Sequence, residues 1–399
     1  MLPVTMRTPR STLLVSCSAL FVVGVLAGAL GPLLPALAAR SGVHVEAVGS
    51  ISSALFLGAF GTQLAGGWLN ERVGLRNMVV AGTVLLTLGI AGITVGPTLP
   101  LILAGAFLAG TGQGALDISS NVLVALVFDA RHVVSAVNIL HFAFGAGAVG
   151  SPLVAAWALQ RWGSPMPALW VGVALGAATS LLAARHVMRA TPAQPAAGEP
   201  GHSTIYRSPA LWSVGFLLFV YVGVEMGVGG WTSVYLGHTT ALTPHLAALV
   251  VSGYWLALTA GRLLGAALGA RISSSALAAV SLGGACLGGL VLLAGGWNPA
   301  LTIAGTLLLA VSFGPIFPTV IVFTTERFSS SPSRAVSVVV SMSSIGGMLL
   351  PPLQGLLLER VSPLASVVQV AACAPLMLAL LAKAQRSGAQ GRRAPAPMT

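Results

Sequence analysis

The run from Leu13 to Ala38, LLVSCSALFVVGVLAGALGPLLPALA, carries no acid and no base over 26 residues. A helix that crosses a bilayer needs about 20 apolar residues, and this run exceeds that length. Arg7 and Arg10 precede it, as basic residues precede the core of a secretory leader. A cleavable core needs only about 7–15 residues, so this one is expected to remain as a first transmembrane helix.

The rest of the chain repeats the pattern. Breaks at charges, Pro and Gly leave spans at 13–38, 45–69, 77–97, 100–128, 134–160, 165–186, 209–237, 245–270, 275–296, 299–325, 334–358 and 362–383. Of the 399 residues, 56% are hydrophobic and 7% are charged, against about 25% charged in soluble domains. Too little charge is present to solvate a whole surface, which excludes a soluble enzyme and a disordered chain. The 49 glycines fit close packing of membrane helices. Cys17, Cys286 and Cys373 lie in separate apolar runs, a spacing that gives neither a metal-ligand set nor a disulfide framework. The expected fold is an all-α membrane protein of twelve transmembrane helices in two pseudo-symmetric six-helix bundles. These are residues 1–186 and 209–399, the second with a short basic tail, joined by a cytoplasmic linker at 187–208.

Orientation follows from the cations. With the N-terminus inside, fifteen of the 19 Lys and Arg residues fall on the cytoplasmic side. Arg40, Arg161 and Arg360 fall opposite, and Arg262 falls within a span. Both termini are therefore expected in the cytoplasm of a cell whose inner, or plasma, membrane holds the protein. The same bias accounts for the net charge of +11 without a nucleic-acid partner.

The two halves align at a constant shift. Gly24, Gly28 and Gly31 recur as Gly223, Gly227 and Gly230, each 199 residues on. Gly66, Leu69 and Arg72 recur as Gly265, Leu268 and Arg271 at the same shift, as do Ala136, Val137, Gly147 and Pro152 as Ala335, Val336, Gly346 and Pro351. Gly105 and Gly114 pair with Gly305 and Gly314 after a slip of one. Parallel repeats of this kind place a substrate path between the halves, with access alternating as they rock.

On these residues a resemblance is specific. Gly67–Arg76, GWLNERVGLR, resembles the G-x-L-a-D-R-x-G-R-R signature of the major facilitator superfamily, with Glu71 in place of Asp. The second copy keeps Leu268 and Arg271 but has Ala266 and Ala270 at the Gly and acid positions. The resemblance implies a gating and packing role for Glu71, Arg72, Arg76 and Arg271. A solvated turn that also marks the positive side is the plainer reading, compatible with the first.

Ionisable groups inside the hydrocarbon cost about 2.5–3.5 kcal/mol on insertion scales. Asp117, Glu225, His141 and Arg262 are placed there by the span assignment. Asp117 precedes Asp129 by twelve residues, which puts it about 18 Å from the cytoplasmic end of its helix. Gln113, Asp117 and Asn121 share one helical face. Gly114–Asn121, GALDISSN, resembles the G-x-L-E-T-x-x-N element of the fucose:proton symporter family, so the resemblance makes Asp117 the coupling acid. The first span lacks the functional Asp of that family. Leu140–Pro152, LHFAFGAGAVGSP, is similar to the same helix of the sodium-dependent glucose transporter relatives. It carries Asn138, His141 and Gly145 on one face, with His141 near the depth of Asn121; the alternative for His141 is packing against a backbone carbonyl.

In the second half Glu225 lies in the glycine-rich stretch Gly223–Trp231, GVEMGVGGW, and its repeat partner is Leu26. Arg262 has Gln63 as its repeat partner, and the Gly261–Arg262 pair also occurs in sugar-transporting relatives. An Arg262–Glu225 ion pair bracing two helices is one reading, and a site role is the other. Trp255 and Tyr254 lie about 15 Å into their span, too deep for the interfacial belt expected of Trp157, Trp162, Trp170, Trp212 and Trp297. A buried indole beside hydrogen-bonding groups suits a sugar; packing is the plain alternative. Pro315 and Pro318 interrupt one helix and suggest a flexing gate or a static kink.

The expected function is cation-coupled symport of a hexose or related sugar by a monomer in the lipid bilayer. The substrate-binding candidates are Gln63, Gln113, Asn121, Asn138, His141, Glu225, Trp231, Tyr254 and Trp255. Asp117, Glu225 and Arg262 are the ion-coupling candidates. No cofactor beyond the coupling ion, H+ or Na+, and no metal is expected. The alternative is a proton-coupled antiporter exporting drugs or other apolar compounds, which gains from Gly147, Gly150 and Pro152 and loses from the inserted Ser151. No nucleophile–base spacing points to an enzyme.

Overall fold

A computed structural model describes residues 9–127, 133–186, 205–269, 271–296, 298–328 and 332–389. Twelve helices are long and apolar enough to cross a membrane. In the first half they are α1 (Pro9–Ser41), α2 (Val45–Val48 and Ser50–Val73, divided at Gly49), α3 (Leu75–Val95), α4 (Leu99–Val127), α5 (Val133–Trp162) and α6 (Pro167–His186). The second half holds α7 (Pro209–Thr239), α8 (Pro244–Gly269), α9 (Ser274–Gly295), α10 (Pro299–Phe313 and Ile316–Arg327), α11 (Pro332–Leu356, ending in a π turn, Leu357–Val361) and α12 (Pro363–Ala389). Each expected span is found with its ends moved by a few residues. Of the expected linker at 187–208, residues 187–204 lie outside the described set, as does Trp297.

The halves are built alike. In the first, α1 packs on α5 and α6, α2 on α4, and α3 on α4 and α6; in the second, α7 packs on α11 and α12, α8 on α10, and α9 on α10 and α12. The repeat is carried down to backbone contacts. A Cβ on Gly105 would lie 2.7 Å from the amide nitrogen of Ile93, and one on Gly305 would lie 2.6 Å from that of Leu292. Gly114 meets the carbonyl of Ala59, and Gly314 meets that of Leu258. With no hydrophobic drive between helices in lipid, such close approaches hold them together by packing.

Helix breaks fall where the backbone requires them. Pro315 cannot donate to the ladder, and α10 is interrupted at Gly314 and Pro315. Arg40 reaches back from the end of α1 to donate to the carbonyls of Thr94 and, at 2.6 Å, Ile93. It thus covers the open C-terminal end of α3, where a cation also complements the helix dipole.

The face at which α1 begins is here the terminal face, and the opposite one the distal face. The halves meet along α2 and α11, α5 and α8, and α1 and α7, whereas no comparable seam joins α4 to α10 among the described residues.

Candidate functional site

The inner face of α4 presents Gln113, Asp117 and Asn121. The half-buried Asp117 carboxyl is hydrogen-bonded by the side chains of Gln113 and of Gln63 from α2. The carbonyl of Gln63 accepts from the Ser344 hydroxyl of α11 at 2.7 Å, so one amide joins the acid of the first half to the second half. Asn121 donates to the backbone carbonyl of Asp117 at 2.7 Å, turning back on its own helix. The shared depth of Asn121 and His141 suggests a bond between them, and the bond found for Asn121 is this local one. Next to Asp117, the buried hydroxyl of Ser120 has no protein partner among the described residues.

His141 on α5 is exposed although it lies well inside the helix, and the charge of Arg262 acts on it from across the seam. The side chains of Asn138 and Glu71 lie outside the described set.

The second cluster belongs to α7 and α8. Arg262 donates to the Glu225 carboxylate at 3.3 Å, the Tyr221 hydroxyl lies against the same carboxyl, and the Tyr254 hydroxyl donates to the Glu225 carbonyl at 2.8 Å. Arg262 also stands over the ring of Phe144 from the other half, at 5.8 Å. Trp255 is 1% exposed. It stands edge-on between Phe144, 6.1 Å away, and Tyr254, 5.4 Å away, and its indole N–H has no partner among the described residues.

Trp231 stands apart from both clusters. Its N–H donates to the Pro351 carbonyl at 2.8 Å, and its ring fills the spaces over Gly49 and Gly355. Here it is a strut between α7, α11 and the start of α2. Among the gating candidates, Arg76 donates to the Ala184 carbonyl at 2.6 Å, closing the end of α6, while Arg72 and Arg271 are exposed at the terminal face. Within the same loop motif, Asn70 is buried and accepts from Ser119 of α4 at 2.8 Å, a packing bond that the sequence reading did not single out.

The seam between the halves is tied from the distal face inward. Arg360 pairs with Glu46, His245 bonds the Ala156 carbonyl at 2.9 Å, Ser53 donates to the Met348 carbonyl at 2.7 Å and Ser252 to the Val149 carbonyl at 2.8 Å. The deepest ties are Gln63 with Ser344 and Arg262 with Phe144. Asp117 lies beside the first of these, through its bond to Gln63. Ser344, missed from sequence, was signalled only by Ser337, Ser341 and Ser344 falling on one helical face.

Two pseudo-symmetric helical halves that meet along three helix pairs, with buried polar groups on both sides, are an architecture typical of transporters that work by alternating access. Residues 16–351 match the Major Facilitator Superfamily, and the chain belongs to that family; it is a multi-pass membrane transporter, not an enzyme. Among its relatives are an uncharacterized MFS-type transporter of Yersinia pestis, 27% identical over 62% of this chain, and the sodium-dependent glucose transporter 1 of Danio rerio, 22% identical over 92% of it. The chain spans 63% and 67% of their respective lengths. In fold it is similar to a D-xylose-proton symporter (TM-score 0.80, 14% identity, 92% of this chain and 97% of that one). It is likewise similar to the fucose:proton symporter of E. coli (TM-score 0.65, 18% identity, 95% and 99%).

Proposed function

We propose that the chain imports a hexose or related sugar together with a cation, a proton or sodium, and works as a monomer. The single observation that carries this is the position of Asp117. Among the described residues it is held by the neutral amides of Gln113 and Gln63, with the hydroxyl of Ser120 on its own helix and that of Ser344 one bond further on. A carboxyl so placed gains or loses a cation as access changes, and the surrounding amides and hydroxyls suit a polyhydroxylated ligand better than an apolar one. The sugar symporters of like fold and the glucose-transporting relative support the substrate class. The excess of cations on the terminal face supports placing that face, with both chain ends, in the cytoplasm of a cell whose inner membrane holds the protein.

The test is counterflow in proteoliposomes, with a hexose panel set against cationic dyes and with pH and sodium gradients varied separately. Counterflow of a hexose and its uphill accumulation under one of the two gradients are expected. Dye exchange without hexose exchange would point to the exporter instead.

A further inference from the structure

The amide of Gln63 is satisfied on both sides by groups of opposite character. Towards Asp117 it meets a carboxyl, and towards α11 it meets a hydroxyl that donates to its oxygen at 2.7 Å. A charged carboxylate only accepts, so it takes the N–H of Gln63 and leaves the amide oxygen to face Ser344. The oxygen of Gln63 does face Ser344. A neutral or cation-bound Asp117 no longer holds the amide in this way: the charge-assisted bond is lost, and with it the polarisation that strengthens the next bond in the chain. Ser344 is 3% exposed, so the second bond is made out of water, where its strength matters to the seam.

We infer that Gln63 and Ser344 read the charge of Asp117 and pass it to the distal seam, which makes Ser344 a positioning residue for ion coupling. This rests on the reading of Asp117 as the coupling acid. Because linkage is reciprocal, a seam that closes better over a charged Asp117 also lowers the affinity of Asp117 for its cation when it closes. The cation is then released towards the terminal face, as an importer requires. Among the described residues of the helices packed on α4, Gln63 is the group that bonds Asp117. α1 carries no charged side chain between Ser11 and Ala39, nor does α3 between Asn77 and Val95. His141 of α5 is acted on by Arg262. α11, which carries Ser344, has no charge between Ala335 and Leu358.

The experiment reads distal opening directly. A full-length reporter with Met348→Cys keeps the carbonyl that Ser53 uses, and Cys17, Cys286 and Cys373 are changed to Ser. Labelling by a membrane-impermeant maleimide from the distal side is timed at low and high pH and with and without sodium. The reporter is expected to label about 5- to 10-fold faster with the coupling ion than without it, the size of one hydrogen bond to a charged group. Ser344→Ala should reduce that ratio below about 2-fold, and Ser344→Thr, which keeps the hydroxyl, should restore it. A full ion response in Ser344→Ala overturns the inference, and so does a flat response in both variants, which would leave Ser344 a packing residue. Asp117→Asn separates the two levels. If it keeps the response, the coupling acid is misassigned and the inference falls with it; if it is flat while Ser344→Ala responds, only the inference falls.

Discussion

Arg262 of α8 and Glu225 of α7 face each other at 3.3 Å, with 24% and 4% of their side chains exposed. The pair ties two helices of one half, while the guanidinium also touches Phe144 of the other. Removing one partner of a buried pair costs more than removing both, because a charge is left without compensation. Arg262→Leu is therefore expected to lower stability towards the low end of the roughly 3–5 kcal/mol seen for such losses, since Arg262 is partly exposed. Adding Glu225→Gln should recover part of the loss. A thermal-unfolding series in detergent checks this, and two losses that simply add would show that the groups do not interact.

Gly147 and Gly150 lie one turn apart on α5 and are expected to respond oppositely to alanine. A Cβ on Gly147 would collide with the carbonyl of Phe21 on α1, whereas one on Gly150 meets nothing within 4 Å. Gly147→Ala should destabilise by about 1–3 kcal/mol, as overpacking does, and Gly150→Ala should leave the melting curve in place. Size-exclusion profiles after heating distinguish them.

At the distal face Arg360 is 62% exposed while Glu46 is 8% exposed. Surface pairs contribute roughly 0.2–1 kcal/mol and weaken in salt. Arg360→Ala should thus raise distal cysteine labelling by no more than about 5-fold, with the effect shrinking in high salt. A much larger rise would make this pair the principal lock.

Trp255 is covered by Phe144 from the other half, so separating α5 from α8 uncovers it. Its indole N–H, without a partner among the described residues, is then available to a sugar oxygen. Trp255→Phe keeps the ring and deletes that donor, and about a 2- to 10-fold loss of affinity is expected when sugar is offered from the distal side. Binding to oriented vesicles measures it; an unchanged curve returns Trp255 to packing.

The fold was legible because lipid leaves few options. Every backbone group must be bonded within a helix, so apolar length alone marks the spans, and the shift of 199 residues marks the repeat. The Glu225–Arg262 pair was legible too, as two intramembrane charges one helix apart. Side-chain direction was not. Trp231 and Trp255 look alike in sequence, yet one bonds Pro351 and the other has no N–H partner among the described residues. The room for the Trp231 ring is made by Gly49 and Gly355, far away in sequence. Ser344 was hidden for the same reason, since its partner Gln63 lies in the other half.

The central claim, that Asp117 carries the coupled cation, is tested most directly by Asp117→Asn in proteoliposomes. Uphill sugar accumulation and sugar exchange are measured on the same preparation. Loss of accumulation with exchange retained is the predicted result, because the amide keeps the hydrogen bonds but not the charge. Accumulation at the unaltered rate would contradict it.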